Sequence, residues 1–329
     1  MKHISILIPR GFYSLVNIEG AYQILSFVNE VLAERNQAPL FQVNLVGLSK
    51  NMPRTGGLFT IHPEWLIREV EKTDLIITPA IHGDLEELLS QNEELIPWIV
   101  KQYKEGAQVA SLCIGTFLLA ATGLLDGRPC TTHWSFANEF RKRFPEAILM
   151  DDKIITDMDG IYTSGGAYSF PNLIIYLIEK LAGRELAIFI AKKFMIDFDK
   201  DCQSPFMIFS GQKEHKDKAV LGAQEYIEKN FQGRITVHEL SCNFGMSRRT
   251  FERRFKKATA NTVVEYVQRV KIEAAKQQLE SGRKTVAEVM YDVGYTDTKA
   301  FRDVFKKITG MSPVDYRNKY NKEVLPVAV

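Results

Sequence analysis

The chain has 329 residues, 45% hydrophobic and 25% charged, a composition that suits a globular protein of two domains and excludes a disordered or fibrous one. No stretch approaches the roughly 20 apolar residues of a membrane span, and the opening MKHISILIPRGFYSL holds only a short apolar run, so neither insertion nor export is expected. Four cysteines, Cys113, Cys130, Cys202 and Cys242, form no CxxC pair, which excludes a metal knuckle or a disulfide framework and fits a reducing cytoplasm.

Along the first half, strand-like runs at 4–8, 43–48, 75–78 and 109–113 alternate with helix-like runs at 18–33, 85–105 and 116–121. This alternation predicts a flavodoxin-like parallel sheet sandwiched by helices. Short strands at 153–156 and 160–164 flank a DMDG turn, and a helix at 170–182 follows. The first domain is expected to span 1–195.

The apolar run QVASLC leads straight into IGTFLLAATGLL, which puts Cys113 on a strand-to-helix turn with Gly115 just beyond. Such a turn is a nucleophile elbow in outline. It exposes a side chain at the C-terminal edge of a sheet, and the following helix N-terminus is expected to lower the thiol's pKa.

Three segments, PRGFYSLVNIEGAYQIL, LCIGTFLLAATGLLDGRPCTTHW and TSGGAYSFPNLIIYLIEKLAG, resemble the glutamine-amidotransferase-like fold of intracellular proteases, and specifically the GlxA-like branch fused to AraC-type domains. The resemblance implies that Cys113 pairs with His133 of the THW triplet, beside Trp134. In active relatives a carboxylate from the first turn approaches the cysteine, whereas Val16 and Asn17 stand there in this chain and Glu19 is two residues out of register. Asn172 also replaces an aspartate common in the regulatory branch. A non-catalytic ligand pocket built on Asn17, Cys113, Ile114 and His133 is therefore expected. The alternative is a cysteine-dependent amidase or peptidase using Cys113 and His133.

The stretch DFDKDCQSPFMIFSGQKEHKD is helix-poor and suits a linker over 196–217, ahead of a second domain at 218–321 and a tail at 322–329. Charge changes here. Residues 216–329 hold 22 basic against 14 acidic residues, a net +8, which leaves 20 against 26, or −6, for the first 215. A polyanion is the expected partner of the second domain.

Within that domain VHELSCNFGMSRRTFERRFKKATA is answered, 49 to 50 residues later, by VAEVMYDVGYTDTKAFRDVFKKITG. Each copy reads as a helix, a glycine break and a second helix, which is the grammar of a helix-turn-helix. Ser247 is expected to cap the second helix of the first copy, leaving Arg248, Arg249, Glu252 and Arg253 outward. Thr296 or Asp297 caps its counterpart, leaving Thr298, Lys299, Arg302 and Asp303 outward. Arginine suits guanine edges, and the lysine pairs near the helix ends suit phosphates.

From about 219 to 320 the sequence resembles the DNA-binding domain of AraC/XylS-type regulators, in the linking helix, the GY turn, the FKKITG end and the SPxxYR closure. It implies a one-component transcription regulator that binds double-stranded promoter DNA, takes a small-molecule effector and forms a homodimer. No cofactor is expected: there is no GxGxxG or GxxxxGK[ST]. His62, His82 and His215 are scattered, so no metal is expected either.

Overall fold

The computed structural model describes residues 1–53, 56, 58–198 and 200–321, so the expected tail lies outside the described residues. The chain divides into two compact units, Met1–Gln203 and Ser204–Val329.

In the first unit seven strands form one sheet: β1 (Lys2–Ile8), β2 (Phe41–Gly47), β3 (Trp65–Leu66), β4 (Leu75–Thr78), β5 (Gln108–Leu112), β6 (Ile155–Met158) and β7 (Ile161–Ser164). Their spatial order is β6-β7-β5-β4-β1-β2-β3. Neighbours run parallel except at the β6–β7 edge, where Ile155 faces Ser164 and Met158 faces Ile161 in a hairpin.

The central strands are apolar on both sides because each side feeds its own core. Ile6, Ile77 and Ala110 join α1 (Leu15–Glu34), α6 (Phe170–Ala182) and α7 (Arg184–Lys193) on one face. Their neighbours Leu7, Ile76 and Val109 join α2 (Leu85–Gln91), α3 (Leu95–Lys104), α4 (Thr116–Ala121) and α5 (Ala137–Arg143) on the other.

The single helix expected over 85–105 is two. Asn92, fully buried, accepts from Arg10 N at 2.7 Å and donates from Nδ2 to Leu88 O at 2.8 Å and Arg10 O at 3.1 Å. A side chain committed to a neighbouring loop outcompetes continuation of the helix at that point.

The second unit is helical: α8 (Lys218–Asn230), α9 (Val237–Asn243), α10 (Arg248–Thr259), α11 (Val263–Ser281), α12 (Val286–Asp292), α13 (Thr298–Thr309) and α14 (Pro313–Tyr320). It has two small cores. Phe251 and Phe255 of α10 pack with Leu240, Val220 and the start of α11, at Val263 and Tyr266. Phe301 and Phe305 of α13 pack with Val289, Tyr316 and the end of α11, at Ile272, Ala275 and Leu279. Each buried phenylalanine contributes about 1.5–3 kcal/mol, so one helix is anchored at both ends by separate apolar clusters.

The residues expected as a linker are divided between the units. Residues 204–217 lie along the helical unit, where Tyr320 Oη donates to Pro205 O at 3.2 Å, Lys276 Nζ to Met207 O at 2.5 Å and Gln224 Nε2 to Gln212 O at 2.9 Å. Residues up to Gln203 belong to the sheet unit.

Candidate DNA interface and ligand site

The two repeats fold alike because the same caps recur at the same places. Capping boxes start both first helices, Thr236 with Glu239 and Thr285 with Glu288. Ser247 Oγ accepts from Thr250 N at 3.3 Å to start α10, and Asp297 Oδ1 accepts from Ala300 N at 2.6 Å to start α13. Thr296 is therefore not the cap; the aspartate one residue later is in register with the free amides. Each long second helix ends with a buried threonine bonded four residues back, Thr259 to Phe255 O and Thr309 to Phe305 O, both at 2.8 Å.

Burying the phenylalanine stripe turns the opposite face outward. Arg248, Arg249 and Arg253 of α10 are exposed, as are Thr298, Lys299, Arg302 and Asp303 of α13. Glu252 lies on the same face, partly exposed and paired with Arg248 at 3.2 Å. Each helix is about 18 Å long at 1.5 Å per residue, enough to lie in one major groove. Arg254 looks from the sequence like one more exposed arginine of the run. Its guanidinium grips Asp217 at 2.7 and 2.8 Å, tying α10 to the cap of α8 and holding the carboxyl below its usual range.

In the sheet unit the chain leaves β5 at Leu112, and Cys113 takes φ +56°, the elbow the sequence predicts. Gly115 lets this turn press against the end of β4, since a Cβ there would sit 2.7 Å from Thr78 O and 2.5 Å from Pro79 O just beyond it. Thr116 Oγ1 donates to Thr131 O at 2.9 Å or to Cys113 O at 3.0 Å, and Thr132 Oγ1 to Cys113 O at 3.2 Å. The elbow is thus sewn to the segment carrying His133.

Chemistry does not follow geometry here. Cys113 is only 2% exposed, and burial pushes its thiol up to about 12, outweighing the Ile114 amide beside it. The helix N-terminus was expected to lower it, but desolvation wins. His133 is half-buried, and its pKa is lowered by desolvation and then by His82, so it is neutral at pH 7. Its Nδ1 lies 2.7 Å from Ser135 Oγ and accepts from Ser135 N at 3.2 Å. Among the described residues no hydrogen bond joins Cys113 to His133, and no carboxylate bonds His133. Glu19 is exposed on α1.

Asn17, 1% exposed on the first turn of α1, accepts from Ala80 N at 3.1 Å, and its buried Nδ2 has no partner among the described residues. Asn172 Nδ2 donates to Asp197 O at 2.5 Å and serves packing. His62 bonds Asn51 and His215 bonds Gln224, both at 2.9 Å, while His82 meets Phe12 edge-on. A shallow cleft lined by Lys2, Asp74, Gln108 and Leu181 lies at the N-terminal edge of the strands, away from the elbow.

Gln203 is the residue that sequence reasoning missed. Its side chain is 2% exposed; Nε2 lies 2.9 Å from Thr132 O and Lys153 O, and Oε1 accepts from Trp134 N at 3.2 Å. Gly165 leaves room for it, because a Cβ there would meet Nε2 at 2.1 Å. The last residue of the sheet unit is thereby plugged into the wall of the elbow site.

The DJ-1/PfpI family matches residues 25–180, and the helix-turn-helix domain family matches residues 240–319. The HTH-type transcriptional regulator GbdR of Pseudomonas aeruginosa is 23% identical over 93% of this chain and 81% of its own length. The HTH-type transcriptional regulator GlxA of Rhizobium meliloti is 22% identical over 97% of this chain and 96% of its own. A crystal structure of a protein from Vibrio parahaemolyticus superposes with a TM-score of 0.52 at 24% identity, over 59% of this chain and 98% of that one, and bears on the fold alone. The chain thus carries a DJ-1/PfpI domain followed by an AraC-type helix-turn-helix domain, and the relatives it resembles along nearly its whole length are transcriptional regulators of the GlxA and GbdR kind.

Proposed function

We propose that this regulator reads promoter DNA with α10 and α13 and responds to a small molecule bound beside Cys113, acting as a homodimer in the cytoplasm. The reading positions are Ser247, Arg248, Arg249, Glu252 and Arg253 on the first module and Thr296, Asp297, Thr298, Lys299 and Arg302 on the second. Two guanidinium- or ammonium-bearing faces on helices each started by a side-chain cap at the matching position support this reading. Arginine supplies base contacts there, while Lys256, Lys257, Lys306 and Lys307 at the helix ends meet phosphates.

The unpartnered Nδ2 of Asn17 carries the effector reading. A buried donor without an acceptor costs about 1–3 kcal/mol, and a ligand oxygen delivered between Asn17, Cys113, Ile114 and His133 would recover it. A ligand acts only through a difference in affinity between two arrangements of the protein, and two copies on adjacent DNA sites amplify that difference. No helix among the described residues is long and apolar enough to cross a membrane.

The enzyme reading rests on the left-handed elbow at Cys113. Against it stand a protonated thiol, a neutral His133 turned to Ser135, and a first turn offering Asn17 where an acid is needed. The test uses the full chain. Metabolites that raise its melting temperature are assayed for promoter response in wild type, Cys113→Ala and Asn17→Ala. Loss of both shift and response in Asn17→Ala, with response kept in Cys113→Ala, is the expected result; turnover of any such metabolite that vanishes in Cys113→Ala refutes the non-catalytic reading.

A further inference from the structure

The two repeats differ at one place that their sequences make look equivalent. Gly245 and Gly294 each occupy the turn of a module with positive φ, +64° and +77°. Around Gly245 there is open space, whereas a Cβ on Gly294 would lie 2.0 Å from Gln232 O and 2.7 Å from Lys271 Nζ. Gln232 belongs to the loop between α8 and α9, which is part of the first module. The turn of the second module therefore rests directly on the backbone of the first.

Lys271 occupies that junction. It lies near the middle of α11, is 8% exposed and makes no ion pair among the described residues. Its ammonium donates to Gly294 O at 3.1 Å and, more weakly, to Gly233 O at 3.5 Å, and lies 5.4 Å from the centre of the Tyr295 ring. Phe231, two residues before Gly233, packs into the second core. One buried cation thus holds carbonyls from both modules, at the point where α11 passes from the first core to the second.

A buried ammonium is costly unless its hydrogen bonds are made. Apolar residues would bury here without that cost, so Lys271 is better explained by what it holds than by stability. A helix alone leaves the modules at its ends free to bend and twist relative to each other; a pin at the crossing removes that freedom. We propose that Lys271 is a positioning residue that fixes the separation and rotational phase of α10 and α13, and so sets the base-pair spacing between the two segments an operator must present. The inference rests on the reading of both helices as DNA-recognition helices.

One inserted base pair moves the second segment by roughly 3.4 Å and turns it by roughly 35°, which a pinned pair of helices cannot follow. The test takes duplexes selected from a random library by the full-length protein, then inserts one base pair between the bases protected by α10 and those protected by α13. Wild type is expected to lose about tenfold or more in affinity on insertion, and Lys271→Met less than about twofold, because its modules adjust. On the uninserted duplex Lys271→Met binds about tenfold more weakly, while duplexes keeping one segment alone are bound equally by both proteins. Lys271→Arg, which can reach both carbonyls, restores the insertion penalty, and Gly294→Ala abolishes it as Lys271→Met does.

A Lys271→Met protein that retains the wild-type insertion penalty overturns the inference. So does one whose helical unit has melted at the binding temperature by circular dichroism, since Lys271 would then be a stability element. Failure of the wild-type chain to select any duplex is a different outcome: it removes the DNA-recognition reading itself, and this inference with it.

Discussion

Gln203→Ala measures how firmly the elbow site is tied to the end of the sheet unit. Its Nε2 faces Thr132 O, Lys153 O, Asp151 O and Thr131 Oγ1 at 2.9 to 3.2 Å, but two hydrogens serve two of these at a time, and Oε1 takes one more bond from Trp134 N. Three hydrogen bonds at about 1 kcal/mol each give a loss of about 3 kcal/mol. A unit of this size moves by roughly 2–4 °C per kcal/mol, so its melting temperature should fall by roughly 6–12 °C. Thermal unfolding of the full chain followed by near-ultraviolet circular dichroism reads the shift. Amide exchange should accelerate at Trp134 and, through the Thr132 bond to Cys113 O, at the elbow. Melting within about 2 °C of wild type, with unchanged exchange at 132–134, refutes the account of Gln203 as a plug in the site wall.

Other outcomes follow from the same geometry. Because burial raises both Cys113 and Cys130 to about 12 from 9.0, the unfolded thiols ionise first; the sheet unit should lose about 1.4 kcal/mol per thiol for each pH unit between 9.0 and about 12, and an alkaline melting series checks this. At pH 7 a thiol reagent should modify exposed Cys242 well before Cys113, as peptide mapping would show. Arg249→Ala and Arg253→Ala should each weaken the selected duplex about tenfold and relax preference at one base, whereas Lys306→Ala should weaken all duplexes alike and lower the salt slope by about 1; equal loss on every sequence for the arginine variants refutes base readout. Asp217→Ala removes the cap of α8 and should cost the helical unit about 1 kcal/mol. Since Arg254 holds that carboxyl below its usual 3.8, the native side chain's contribution is present above pH 3.8 and disappears as pH falls through the lowered value, so wild type and variant should converge in acid.

Much of the DNA-binding unit is legible in the sequence because the information is local. Caps, the phenylalanine pairs at 251/255 and 301/305 and the glycine turns act over a few residues, and their repetition 50 residues apart marks two modules before any coordinate is known. The elbow is legible for the same reason: an apolar strand running into IGT has few other ways to turn. What the amino-acid order does not display is where distant groups meet. The break at Asn92 depends on Arg10, the state of the Cys113 thiol on how deeply the sheet edge is covered, and the partition of residues 196–217 on carbonyls far away in the chain. Gln203 and Lys271 read as ordinary polar residues in a linker and on a helix, and only packing makes them a plug and a pin. Short-range hydrogen bonding and periodic burial are written along the chain; desolvation and long-range polar contacts exist only once the chain has closed on itself.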